Sequence, residues 1–163
     1  SMGTAYRNHA SGTNFGSLYG LAYKHTNNAT GGTMGGGHQM VWVTNGGAKG
    51  SIGESGIWSI GDITAYSDRR VKTNIEKIPN ALDKVLQLNG YTFDRTDTDE
   101  VNRQTGVIAQ EVLEVLPEAV KGDEEGHYSV AYGNMAGLFI EAIKDLKAEI
   151  TDLKAEVAEL KGV

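Results

Sequence analysis

The sequence predicts an α+β chain that works as an intertwined homotrimer. It places Gly-rich β-structure over residues 1–66, a small α+β domain over 67–163, and a parallel coiled coil at about 136–163. Three observations carry this reading. Gly makes up 22 of the 163 residues, and 15 of those lie in residues 1–66; the usual share is ~7%. Charge is distributed the other way. Residues 1–66 hold five charged side chains (Arg7, Lys24, Lys49, Glu54, Asp62) and residues 67–163 hold the other 31. The third observation is an unbroken heptad repeat near the end of the chain.

In the Gly-rich half, Ser17–Lys24 and His38–Thr44 are rich in aromatic and β-branched residues and read as strands. Asn45-Gly46-Gly47 reads as the turn that follows. Gly56–Tyr66 sets Ile57, Ile60 and Ile63 among Gly and small polar residues, as a further short strand would. Few large apolar side chains are available, so one chain alone hardly builds a core here. Gly permits close backbone approach, and association of several chains supplies the missing burial.

In the charged half, Val71–Ile78 alternates like a strand. Pro79-Asn80 opens a helix whose apolar face is Leu82, Val85 and Leu86, and Asn89-Gly90 ends it. Tyr91–Asp94 reads as a strand, Arg95–Gln104 as a loop and Thr105–Ile108 as a short strand. A second helix carries Ile108, Val112, Leu113 and Leu116 on one side and stops at Pro117. Lys121–Gly126 reads as an acidic hairpin tip, since it lacks the ligand pattern of an EF-hand. Tyr128–Val130 reads as a strand.

Phe139, Ile143, Leu146, Ile150, Leu153, Val157 and Leu160 are spaced alternately four and three apart. Ile143, Ile150 and Val157 take position a; Leu146, Leu153 and Leu160 take position d. In a parallel coiled coil Glu149 at g meets Lys154 at e of the neighbour, and Glu156 meets Lys161. Both pairs have opposite sign. A helix packed only on its own domain shows a wider apolar stripe without a strict 3.5 repeat. β-branched residues at a with Leu at d favour two strands, whereas the Gly-rich half points to three. In a trimer, the β-structure and the upstream domain must override the heptad preference.

The absence of Cys excludes disulfide frameworks, thiolate metal sites and a Cys nucleophile. The net charge of −6 argues against a nucleic-acid partner. No apolar run approaches the ~18 residues a membrane helix requires. His9, His25 and His38 lack metal-ligand spacing and read as surface or packed histidines. Gly31–Gly37 lacks the Lys-Ser/Thr of a phosphate loop. No metal or cofactor is expected. Ser1-Met2 reads as a cloning remnant, which places the natural N-terminus upstream.

The run Gly61–Ile75 (GDITAYSDRRVKTNI) resembles the start of the intramolecular chaperone auto-processing domain. That domain ends phage tailspikes, endosialidases and L-shaped tail fibres, and it also occurs in myelin regulatory factor-like proteins. Three further blocks fit in order and spacing: Ala81–Phe93, Thr105–Val120 and Tyr128–Leu146. The resemblance covers about residues 61–163 and leaves out 1–60. This copy lacks a long insertion seen in some members. The resemblance implies a C-terminal chaperone that aligns three chains and lets an upstream β-helical or β-prism fibre fold as its client. It then cuts the chain before the Ser of a Ser-Asp motif. The cut falls between Tyr66 and Ser67, with Ser67 as nucleophile and Lys72 as its partner. Residues 1–66 become the distal β-stalk or tip of a fibre or spike in the virion. The chaperone is released in the cytoplasm of the bacterial host during assembly.

A Ser and a Lys five apart occur by chance in most proteins, and without the resemblance Ser67 reads as a turn residue or helix cap. The chemistry it would need is definite. Serine requires an adjacent base, and a Lys serves as one only when neutral, which takes its pKa from ~10.4 towards ~7–8. Desolvation and nearby positive charge both act that way. Arg69 and Arg70 stand close enough in sequence to supply the charge, unless either pairs with Asp68. Five residues on an α-helix turn through about 500°, which would part the two side chains. The segment should therefore be a turn or extended, or the Lys comes from another chain. Two other functions compete. One is a permanent trimerisation foot that never cuts. The other is a receptor-binding tip in which Tyr19, Tyr23, Trp42 and Trp58 grip a host glycan or protein rather than packing within the fibre. A myelin-factor-like origin fits less well, because neither a membrane span nor a basic DNA-binding segment is visible.

Overall fold

The computed structural model describes residues 19–24, 38–45, 47–53, 56–97 and 103–162. The chain divides into two compact units, Ser1–Val71 and Lys72–Val163.

In the first unit four strands form an antiparallel meander in the order β1-β2-β3-β4: Gly20–Lys24, Gln39–Thr44, Gly47–Gly53 and Gly56–Ser59. β2 alternates buried and exposed residues along its length, with Val41 and Val43 inward and Met40 and Trp42 outward. That is the period-2 pattern of a sheet with one covered face. Leu21 stands opposite Trp42, and Tyr23 opposite Met40. Trp42 pairs with Gly50, and a Cβ on Gly50 would sit 2.5 Å from the indole ring. Gly is required there so that the ring can lie against the neighbouring strand. The Asn45 turn is present with φ 48°; Gly46 and the Gly31–Gly37 run lie outside the described residues. Within a single chain this sheet is a simple meander, without intertwining.

In the second unit the sequence expectation of a strand over Val71–Ile78 does not hold. Arg69–Val71 is a 3₁₀ turn closing the first unit, and no strand or helix forms from Lys72 to Asn80. The segment joins no sheet among the described residues, so alternation alone does not make it a strand. Helix α1 spans Ala81–Leu86 and ends there, short of Asn89-Gly90. Pro79 therefore precedes the helix. β5 (Tyr91–Phe93) pairs antiparallel with β6 (Gln104–Gly106). Helix α2 spans Ala109–Val115, and the 3₁₀ turn Pro117–Ala119 follows it. Its buried face is Val112, Val115 and Leu116, while Ile108 and Leu113 are exposed, contrary to the sequence assignment. β7 (Val120–Lys121) and β8 (Ser129–Val130) form a small hairpin, with the acidic run at its tip. A 3₁₀ turn, Tyr132–Met135, leads into α3, Ala136–Lys161.

The core of this unit joins Ala81 of α1 and the α2 face to Met135, Leu138 and Ala142. Leu138, Ala142 and Asp145 follow helical i, i+4, i+7 spacing and turn one side of α3 onto the unit. The heptad residues occupy other positions. Every one of them from Phe139 to Leu160 is exposed, from 39% at Ile150 to 87% at Leu160.

Candidate functional site

The predicted cleavage segment follows directly from the meander. Strand β4 ends at Ser59, and the Ile60 amide donates to the Lys49 carbonyl at 2.9 Å. From Asp62 to Ser67 the chain adopts neither helix nor strand. Tyr66 is 80% exposed and Ser67 is exposed. Tyr66 and Ser67 thus lie near the end of the first unit, and Lys72, also exposed, is the first residue of the second.

Asp68 organises the turn that follows Ser67. Its Oδ1 accepts the Arg70 amide at 2.8 Å, the closure of an Asx turn. Its backbone carbonyl accepts the Val71 amide at 3.2 Å. The Arg70 guanidinium also grips this carboxylate, Nε at 3.1 and 3.0 Å and Nη2 at 2.6 Å. The Arg70 side chain, with its amide, holds the Asp68 carboxyl below its ordinary range. Asp68 in turn raises the Arg70 pKa. Of the two arginines that could lower a lysine pKa, Arg70 therefore spends its charge on Asp68. The turn satisfies the geometric demand that Ser67 and Lys72 not be carried on one α-helix.

Sequence reasoning missed two polar constellations of the second unit. Asn80, ahead of α1, is in the left-handed region at φ 52° and makes no side-chain cap. The cap comes from α3 instead. Asp145 Oδ2 accepts the amides of Ala81 at 3.1 Å and Leu82 at 3.2 Å. In the other constellation, Glu111 accepts the Tyr91 phenol at 2.7 Å, which raises the Tyr91 pKa, and it also accepts the Asn89 amide group at 3.4 Å. Both join residues at least 20 apart, and no local motif announces either.

The four aromatics considered for receptor contact separate. Trp58 is half-buried against Val41 and Val43, whereas Tyr19, Tyr23 and Trp42 are exposed. Tyr23 stacks on His38, ring centroids 5.6 Å apart at 17°, and the Tyr23 hydroxyl is hydrogen-bonded to His38 Nδ1. His9 and His25 lie outside the described residues. Among the described residues no three His, Asp or Glu side chains gather as a metal site, and no helix is long and apolar enough to cross a membrane.

Residues 67–121, a third of the chain, match the family model described as the chaperone of endosialidase. The chain is also similar to curated long tail fiber proteins Gp37. Identity is 37% over 91 residues with that of Enterobacteria phage K3, covering 52% of this chain and 7% of the relative. It is 35% over 119 residues with that of Escherichia phage AR1, 64% of this chain and 11% of the relative. It is 35% over 109 residues with that of Enterobacteria phage Ox2, 62% of this chain and 43% of the relative. Over residues 67–121 this chain is similar to the chaperone of endosialidase family, and it spans less than half the length of each of these long tail fiber relatives.

Proposed function

We propose that this chain is the distal end of a phage tail fibre or tailspike with its C-terminal intramolecular chaperone attached, and that the chaperone trimerises the chains, folds the preceding segment and releases itself between Tyr66 and Ser67. One observation carries the reading: the family match begins at Ser67, the residue that would become the new N-terminus. The exposure of Tyr66 and Ser67, in a stretch that is neither helix nor strand, supports it, because a scissile peptide must be reachable. The similarity to long tail fiber proteins supports a fibre as the client and the virion as the destination of residues 1–66.

The chemistry is a single turnover. Ser67 Oγ attacks the Tyr66 carbonyl carbon, and neutral Lys72 Nζ takes the hydroxyl proton. The Tyr66–Ser67 C–N bond breaks, the proton passes to the departing Ser67 nitrogen, and an ester remains on Oγ. Water hydrolyses that ester, leaving a Tyr66 carboxylate and a free Ser67 amine. Carrying target and nucleophile in one polypeptide supplies the proximity that separate substrates lack. Lys72 is exposed in a single chain, so the desolvation that a basic lysine needs comes from neighbouring chains. Incubating the assembled protein and running a denaturing gel tests the reading. Fragments of 66 and 97 residues support it; a single intact band replaces it with the permanent trimerisation foot.

A further inference from the structure

Helix α3 carries two stripes over the same turns. Leu138, Ala142 and Asp145 are buried or half-buried in the second unit, while Phe139, Ile143 and Leu146 are exposed. Asp145 thus stands between an a and a d residue of the unpartnered stripe, and its carboxylate holds the first two amides of α1. α1 has six residues, too few to be stable alone, so its start depends on tertiary partners. Its own flanking residue offers none, because Asn80 is in the left-handed region without a side-chain cap. Upstream lies the irregular stretch from Lys72 to Asn80. Its C-terminal end is fixed where α1 begins, and Ile78 packs close to Gly137 of α3.

We propose that Asp145 is a positioning residue: by capping α1 it couples the ordering of α3 to the Lys72–Asn80 segment, and so sets where Lys72 is held. The inference rests on the self-cleavage reading for its consequence, but the coupling itself has a separate readout. An exposed heptad stripe that finds its partners rigidifies α3, and isolated helices are marginal in water. Ordering α3 fixes Asp145, Asp145 fixes Ala81 and Leu82, and the preceding segment loses freedom at its C-terminal anchor. Assembly at the far end of the chain thereby reaches the segment that carries the proposed base through the cap on α1.

The test uses the full chain, with Asp145→Ala and Asp145→Asn compared for solution mass, cleavage rate and amide hydrogen exchange. Asp145→Ala keeps the oligomer, cuts roughly fivefold more slowly, the scale of a lost helix cap, and exchanges faster across Lys72–Ile78 as well as at Ala81 and Leu82. Asp145→Asn restores most of the rate, since its amide oxygen still accepts from the same amides. An unaltered rate in Asp145→Ala overturns the proposal, as does faster exchange confined to Ala81 and Leu82. Should Asp145→Ala fail to assemble, Ile150→Asp with Leu153→Asp decides: the coupling requires faster exchange across Lys72–Ile78 in that variant, and unchanged exchange overturns it. A chain that never cuts, while exchange follows the pattern above, removes the self-cleavage reading and leaves the coupling standing.

Discussion

The Asp145 carboxylate accepts the Ala81 amide at 3.1 Å, across 64 positions of sequence. One side chain of the long helix thus closes the start of the short one, so the two helices define a common frame. That contact explains how Asn80 is tolerated at φ 52° just before a helix. A left-handed residue cannot direct its own side chain as an ordinary N-cap does, and the negative carboxylate of Asp145 also suits the helix N-terminus.

Asn80 should therefore be replaceable by Gly and by little else. Left-handed backbone costs an L-residue roughly 1–2 kcal/mol, and Asn tolerates it better than most. Asn80→Val is expected to lower stability in chemical denaturation by about that amount, and Asn80→Gly to stay within a few tenths of a kcal/mol. Equal losses in both variants would mean that the Asn80 side chain, not its backbone, is what the site needs.

The proposed chemistry predicts that Ser67→Ala and Lys72→Ala each leave the chain at full length with the oligomer intact. Lys72→Arg should fail as well, because a guanidinium stays protonated at neutral pH. Mass spectrometry of the assembled variants gives the answer directly. Cleavage after Tyr66 at an undiminished rate in any of the three would remove that residue from the mechanism.

Close approach at Gly106 gives a packing prediction. A Cβ there would lie 2.5 Å from Tyr132 Oη and 3.4 Å from the Phe93 ring. That phenol oxygen also accepts the Val107 amide at 3.4 Å. Gly106→Ala should destabilise the unit by roughly 1–3 kcal/mol, the usual scale of overpacking. Tyr132→Phe removes the clashing oxygen, so the double variant should lose less than the two single losses together. Strict additivity in thermal unfolding would mean that the phenol is not what Gly106 accommodates.

Much of this architecture is legible in the sequence where a local pattern is strong. The aromatic and β-branched runs gave β1 and β2, and the heptad residues lie on one continuous helix. β3 was not legible. Its sequence, GAKGSIG, has little strand propensity and is held by neighbours on both sides, a tertiary override of local preference. Val71–Ile78 failed for the opposite reason: it alternates but belongs to no sheet among the described residues. On α2 the composition could not tell Leu113 from Val115, because which faces inward depends on where α1 and α3 pack. Ser67 and Lys72 became candidates only through the family resemblance. Asp145 carries no sequence signal, since its partners are backbone amides 63 and 64 positions away.

Asp97 offers a pH measurement. The Arg95 guanidinium hydrogen-bonds its carboxylate and lowers its pKa from 3.8 to about 2. A depressed folded-state pKa contributes stability above the ordinary carboxylate range, and the contribution is lost as pH falls from there through about 2. Both side chains are more than half exposed, so the effect on unfolding should be small. The carboxyl resonance of Asp97 should titrate near 2 and move back towards 3.8 in Arg95→Ala. A midpoint indifferent to Arg95 would show that the pair does not form in solution.

The last prediction concerns assembly and cutting together. Ile150 and Leu153 are exposed within one chain, so replacing both with Asp removes no packing from the core built on Val112 and Leu138. In a parallel bundle the same carboxylates would fall into the heptad seam, where unpaired burial costs several kcal/mol each. The double variant should therefore be a folded monomer, while the unmodified protein scatters light as three chains. It should also fail to cut, although Ile150 lies more than 80 residues from Ser67. Without partners the Gly-rich strands lack what holds the scissile bond, and Lys72 keeps its solvent exposure. This order of events has a physical rationale. A fibre that loses its aligning chaperone only after folding is separated from its unfolded state by a kinetic barrier, with no aligned route back. Solution mass, amide exchange at Val112 and a denaturing gel on the same sample separate the outcomes. A folded monomer that still cuts efficiently after Tyr66 would show that one chain completes the site, and gating of the cut by assembly would have to be abandoned.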